Sequence, residues 1–186
     1  MKLAGKIRQM NEQSIQVPIL STTRLNLEPM SLAHSQGMFE MWCQPAVQEY
    51  SGPAKDVYGD IIQLPARTPR DSDKLICFWE KAAMDGWGFR WVLLLKDDNS
   101  LVGHIGFNSL SPCSEIAYHM NPKYWGQGYM TEAAKAALEW RKAGGATGVE
   151  AFIDPRNTNS IAVAFRLGMN ATNDFSEGAR RYRMSL

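Results

Sequence analysis

Cysteine is scarce in this chain. Among 186 residues there are three, Cys43, Cys77 and Cys113, odd in number and widely spaced. They form no CxxC pair and no zinc-ligand pattern, which leaves buried free thiols in a reducing, cytoplasmic setting as the expectation. Long apolar runs are missing too. The longest are about five residues, Trp91 to Leu95 among them, against the roughly 18 that a membrane-spanning helix needs. No apolar stretch follows Lys2, Lys6 and Arg8, so no secretory leader is expected. Charge of one sign is also lacking. The 20 basic and 19 acidic residues leave a net charge of +1 with no charge block, so nothing marks nucleic acid as a partner. There is no internal repeat and no low-complexity segment.

What is present suits one globular domain, with 45% hydrophobic residues over a length that is short for two. Residues 1 to 17 read as an N-terminal extension, in which Leu3, Ile7 and Met10 offer a weak amphipathic helix. Residues 18 to 186 read as the domain. Ile19 to Leu27 is strand-like, with Leu25 and Leu27 on one face. Ser31 caps a helix from about Leu32 to Cys43, which Pro45 stops. Residues 50 to 70 hold Gly52, Pro53, Gly59, Pro65 and Pro69. A loop this long in a compact domain is usually functional or mobile. Ser72 or Asp71 caps a helix from Asp73 to about Met84 with a wide apolar face.

Phe89 to Leu95 and Leu101 to Phe107 form a hairpin around the turn at Asp97 to Asn99. A further strand runs from Ser114 to Met120. A helix from about Met130 to Lys142 buries Met130, Ala133, Ala134, Ala137 and Leu138, and Gly144-Gly145 closes it. Val149 to Ile153 is a strand. A helix follows the cap-rich string Asn157 to Ser160 and ends at Gly168. Ala179 to Leu186 is the last strand.

The chain is organised around Tyr118 to Ala137, YHMNPKYWGQGYMTEAAKAA. Strand, glycine turn and helix in succession leave bare N–H donors and partial positive charge at a helix start, which suits a phosphate. Glycine belongs there because a Cβ would block close approach of the backbone to a ligand. This stretch reads as a pyrophosphate cradle. A dinucleotide site of the NAD type is disfavoured: Gly126-x-Gly128 lacks a third glycine and follows a hairpin instead of opening a βαβ unit.

The order of elements, together with STTRLNLEPMSLAHSQGMFEMW, EIAYHMNPKYWGQGYMTEA and NTNSIAVAFRLGM, resembles the GNAT superfamily of acyl-CoA-dependent N-acyltransferases. The branch it looks like includes the N-terminal alanine and serine acetyltransferases of ribosomal proteins. The match covers about residues 21 to 186. The resemblance implies an α+β, α/β/α fold: a central mixed, mostly antiparallel sheet, flanked by about four helices. Its fourth and fifth strands splay apart around acetyl-CoA. The loop from Trp125 through Gly126, Gln127, Gly128 and Tyr129 to Met130, with Thr131, would hold the pyrophosphate. The signature carries Gln or Arg where Trp125 stands and Gly or Ala where Met130 stands, and Met130 is expected to crowd the helix start.

Moving an acetyl group to an amine requires a deprotonated amine, a donor for the oxyanion and a proton for the leaving thiolate. By resemblance, a backbone N–H near His119 or Met120 is the oxyanion donor, Asn157 contacts the pantetheine arm or a water, and Ser160 serves the thiolate. Phe165 completes the cofactor contacts. Plain helix capping is the other reading of Asn157 and Ser160, and the two are compatible. Glu115, Glu177, its neighbour Asp174 and His119 all remain candidates for the base; His34 and His104 read as structural. Glu132, in the first turn of the cofactor helix, reads as dipole-favoured or bonded to a nearby loop. Tyr50, Tyr58, Trp79, Trp87 and Trp91 line an acceptor pocket or the core.

The expected activity is acetyl transfer to a primary amine, on a protein N-terminus or a small molecule, without a metal. A catalytically weak acyl-CoA-binding or sensor module is the alternative, with Met130 as its support. A homodimer fits the branch.

Overall fold

The computed structural model describes residues 14–186. The stretch with Leu3, Ile7 and Met10 lies outside them. Eight strands form one sheet in the order β1-β2-β3-β4-β5-β6-β8-β7. They are β1 (Leu20–Ser21), β2 (Leu25–Pro29), β3 (Phe89–Leu95), β4 (Leu101–Ser109), β5 (Cys113–Met120), β6 (Gly148–Ile153), β7 (Asn170–Ser176) and β8 (Ala179–Ser185). Every neighbouring pair is antiparallel except β5 and β6.

Helices cover both faces. One carries α1 (Ser35–Trp42), the short α2 (Pro45–Gln48) and α3 (Pro69–Met84); the other carries α4 (Tyr129–Ala143) and α5 (Thr158–Arg166). This cover explains why FRWVLLL in β3 is buried almost throughout, where a half-solvated strand would alternate. The core is correspondingly double. Met38, Met41, Trp42, Leu75 and Ile76 pack on Val92 and Leu94, while Ala133, Ala134 and Ala137 pack on Phe89, Trp91 and Leu93. The alanine stripe of α4 lets that helix lie close to the sheet.

Several elements differ from expectation, and the stretch read as one strand from Ile19 to Leu27 holds two, β1 and β2, paired antiparallel. α3 starts four residues early because Thr68 caps it and Pro69 occupies the first turn, where its missing N–H is harmless. Asp71 accepts from the Thr68 N–H and completes the capping box. Pro45 opens α2 as well as stopping α1. β7 escaped notice because NATNDFS is polar and mostly exposed, with no alternation to read. The three cysteines are half-buried free thiols, not buried ones.

The 50 to 68 segment has little regular structure but is anchored. Asp56 accepts the N–H groups of Tyr58 and Asp60, and Ile62 and Ala66 are buried in the smaller core. Ahead of β1, the Ile15 N–H reaches Ala83 O, and Ile15 and Val17 pack on the larger core, inside the stretch expected to be an extension. Among the described residues, no helix is long and apolar enough to cross a membrane.

At the crossing of β3 and β4 there is no room for a side chain: a Cβ on Gly106 would lie 2.0 Å from Phe89 O. Gly106→Ala should cost about 3 kcal/mol or more, while Gly52→Ala, with nothing within 4 Å of its Cβ, should stay within about 0.5 kcal/mol. Denaturant midpoints of the two variants check this.

Candidate active site

The site begins where two strands part. β5 and β6 pair only through Cys113, Ser114 and Glu115 opposite Gly148, Val149 and Glu150. β5 then continues to Met120 and β6 to Ile153 without touching. The gap opens into a cleft of about 1460 Å³, lined by both strands, the loop after β5 and the starts of α4 and α5.

The ladder decides which amides face this gap. The Asn121 N–H bonds Val102 O, and His119 sits opposite His104. In an antiparallel ladder alternate residues bond the same neighbour. Ala117 and His119 therefore turn their backbone groups to β4, and Ile116, Tyr118 and Met120 turn theirs to the gap. The carbonyl of Met120, on that open side, accepts from Trp125 Nε1 at 2.8 Å. Of the two expected amide donors, Met120 faces the cleft and His119 does not.

The loop after β5 is built from a turn and two glycines. Asn121 caps a short helical turn, accepting from the Lys123 N–H at 3.1 Å. Gly126 has φ +74° and Gly128 φ +82°, the left-handed region that glycine occupies at little cost. Gly128 caps α4, and the first helical N–H with a partner is Glu132, bonded to Gly128 O at 3.1 Å. Among the described residues, no main-chain N–H from Gly126 through Thr131 finds an acceptor. Six donors, on residues that line the cleft, are thus left unsatisfied.

A brace from the far side of the sheet fixes this helix start. Glu132 accepts from the Thr22 hydroxyl at 2.7 Å and from the Arg24 N–H at 2.8 Å, and its other oxygen takes Arg24 Nε at 2.7 Å. Arg24 also donates to Gln127 O at 3.0 Å, and its guanidinium lies 4.3 Å from the Tyr129 ring centre. Glu132 is thus bonded to a neighbouring loop, one of the two roles expected of it. Met130 is 6% exposed and sits in the larger core. Its side chain packs into that core, and the residue also lines the cleft.

Facing this loop, Asn157 caps α5, its carboxamide oxygen accepting from the Ser160 N–H at 3.1 Å. The Tyr118 hydroxyl donates to Ser160 O at 3.2 Å. Burial pushes that phenol up to about 12, with the bond to Ser160 opposing, so it keeps its proton at neutral pH. The Ser160 hydroxyl lines the cleft and makes no hydrogen bond among the described residues. Phe165 does not line the cleft; its ring stands edge-on to Tyr182 at 5.8 Å.

Glu115 and Glu177 both line the cleft, Glu177 from the exposed turn between β7 and β8 at φ +50°. Asp174 does not, being held by Arg181 at 3.3 Å. His119 lines it too. Its Nε2 meets the Ser51 hydroxyl at 2.9 Å, and its ring lies 4.7 Å from Trp42 and 5.0 Å from His104. Burial, aided by the positive charge of Arg90, pushes His119 down to about 3. It is neutral at pH 7 and a weak base there. Of the aromatics expected at an acceptor pocket, Tyr50 lines the cleft; Trp91 is core, and Trp79 and Trp87 pack together with Phe78. Tyr58 is solvent-exposed. The sequence reading missed Tyr118, Asn108, Ser51 and Arg24, whose roles depend on contacts between distant segments.

The site is a split sheet with a bare helix N-terminus at its mouth. Residues 24–170 match the family model described as acetyltransferase (GNAT) domain. The chain belongs to the GNAT acetyltransferase family and is an acyltransferase. It is 26% identical over 146 residues to the uncharacterized N-acetyltransferase p20 of Bacillus licheniformis, covering 76% of each chain. Among solved structures it resembles an acetyltransferase of Salmonella typhimurium that modifies the N-terminal serine of ribosomal protein L7/L12. That match has a TM-score of 0.72 at 16% identity, over 91% of this chain and 99% of that one. It also resembles RimL, a ribosomal L7/L12 α-N-protein acetyltransferase in complex with coenzyme A. There the TM-score is 0.69 at 16% identity, over 91% of this chain and 98% of that one.

Burial raises the Glu132 carboxyl, but the bonds from Thr22 and Arg24 outweigh it and hold the group below its ordinary value. A depressed carboxylate stabilises the fold above its unfolded pKa, about 4.3, and loses that contribution as pH falls through the folded value. Glu132→Gln should therefore be less stable than wild type at pH 7 and indistinguishable from it at the acid end. Urea midpoints across that range test the sign.

Proposed function

We propose that this protein moves the acetyl group of acetyl-CoA to a primary amine, on a protein N-terminus or a small molecule, by direct attack within a ternary complex. One observation carries the reading: the six unsatisfied main-chain donors from Gly126 to Thr131 at the mouth of the split sheet. Such a cradle suits a pyrophosphate, and a Cβ on Gly126 would meet nothing within 4 Å, so the backbone there is open to a ligand. Coenzyme A in the RimL complex supports the same choice.

Acetyl-CoA supplies the activated thioester. The chain supplies the rest. The N–H groups of Met120 and Tyr118, on the open edge of β5, are placed to donate to a carbonyl oxygen as it gains charge. Glu115 takes a proton from the ammonium form, directly or through a water, which frees the nitrogen lone pair to attack, and the proton that the attacking nitrogen then sheds passes to solvent. Glu177 is the second carboxylate at the cleft. As the C–N bond forms the C–S bond breaks, and the Ser160 hydroxyl donates its hydrogen bond to the departing sulfur. Asn157 acts here as the cap that sets α5, and through it the position of Ser160. His119, already neutral and bonded to Ser51, orders the acceptor side of the wall. In this reading residues 18 to 186 act as one catalytic domain, in the cytoplasm. The packing of the Met130 side chain into the core favours this reading over a catalytically weak acyl-CoA-binding or sensor module.

Gly128→Asp puts a carboxylate at the start of α4, on a Cβ 3.5 Å from Arg24 Nη2 and at a φ that favours glycine. Acetyl-CoA affinity, read by calorimetry, should fall about 100-fold or more, since it loses a phosphate contact and gains a like charge; an unchanged value defeats the cradle. Ser160→Ala should lower kcat by about 10- to 100-fold and leave the KM for acetyl-CoA near wild type, the pattern of a group that acts on the leaving sulfur. Thiol release with a panel of amines measures both constants.

A further inference from the structure

Behind the candidate base lies a buried cation. Arg90, in β3, is 4% exposed. Among the described residues no carboxylate forms an ion pair with it. Its guanidinium lies 3.4 Å from the Trp79 ring centre, and Nη1 donates to Phe89 O at 2.9 Å. Nη2 donates to the side-chain oxygen of Asn108, in β4. The nitrogen of the same carboxamide donates to Glu115 Oε1 in β5. The other carboxylate oxygen of Glu115 makes no hydrogen bond among the described residues.

The orientation of Asn108 follows from its neighbours. Turned the other way, its NH2 would face the guanidinium and its oxygen the carboxylate, so both contacts would be lost. Arg90, Asn108 and Glu115 therefore form a directed chain across three adjacent strands. It ends at the last paired residue before β5 and β6 part. Burying a cation this way is costly, and an apolar side chain of similar volume would serve packing as well or better. Burial pushes the guanidinium down to about 9 while the charge of Glu115 pulls it up, so it stays charged at neutral pH.

We propose that Arg90 is a positioning residue for acetyl transfer, which acts through Asn108 to hold the Glu115 carboxylate in one orientation with a single oxygen left to meet the amine. This rests on the reading of Glu115 as the group that accepts the amine proton.

The full chain is assayed by thiol release with saturating acetyl-CoA and a peptide bearing a free N-terminal serine. Glu115→Gln should lose about 100-fold or more in kcat, and Asn108→Ala about 10- to 50-fold, with acetyl-CoA affinity within about two-fold of wild type. The double variant should be no slower than Glu115→Gln alone, because two parts of one device do not lose activity independently. A merely structural Asn108 would instead multiply its loss onto that of Glu115→Gln. Multiplying losses, or wild-type kcat in Asn108→Ala, overturn the role of Arg90 while leaving the base in place. Full activity in Glu115→Gln removes the base itself, whatever Gly128→Asp does to cofactor binding. A second readout needs no acceptor. With labelled glutamate, carbon-13 relaxation should report an ordered Glu115 side chain in the wild type and surface-like motion in Arg90→Met. Surface-like motion already in the wild type, or order retained in Arg90→Met, rejects the proposal.

Discussion

The end of hydrogen bonding between β5 and β6 beyond Glu115 and Glu150 is the constraint on which this molecule depends. Elsewhere in the sheet the strands satisfy one another. Here two strands run on with bare inner edges, and unpaired backbone groups away from water are costly. These bare edges and the unbonded donors at the start of α4 line one cleft.

Holding that gap open takes bracing at both ends of α4. At its start, Glu132 and Arg24 tie the helix to the turn before β2. At its end, Arg141 reaches Ser114 Oγ at 2.7 Å and Leu110 O at 2.7 Å, locking the helix to the entry of β5. The helix that carries the bare amides is thereby registered against one of the strands that frame the cleft. The faces of β5 then divide the work. Ser114, Ile116 and Tyr118 serve α4 and α5, while Glu115 and His119 belong to the face with Trp42, His104 and Arg90. Burial, with the charge of Arg90 adding to it, keeps the histidines on that second face neutral.

Much of this was legible in the residues. The glycine pair, the apolar stripe of α4 and the cap cluster at Asn157 are local signals, and each marks an element that local energetics favour. β7 was illegible because its polar string carries no period, and the early start of α3 because Thr68 and Pro69 lie in a stretch crowded with other breakers. The burial of Met130 was legible as well, from its place on the apolar stripe of α4.

The sequence by itself determined that a strand would run into a glycine turn and a helix with exposed amides, because glycine torsions and unpaired first-turn donors are consequences of short-range chemistry. Only the tertiary structure decided that Met120 and not His119 presents its N–H to the cleft, that Arg24 would clamp Glu132 from 108 residues away, and that Arg90 would reach Glu115 through Asn108. Strand register and the packing of distant segments set those contacts, and neither is encoded in any one stretch of the chain.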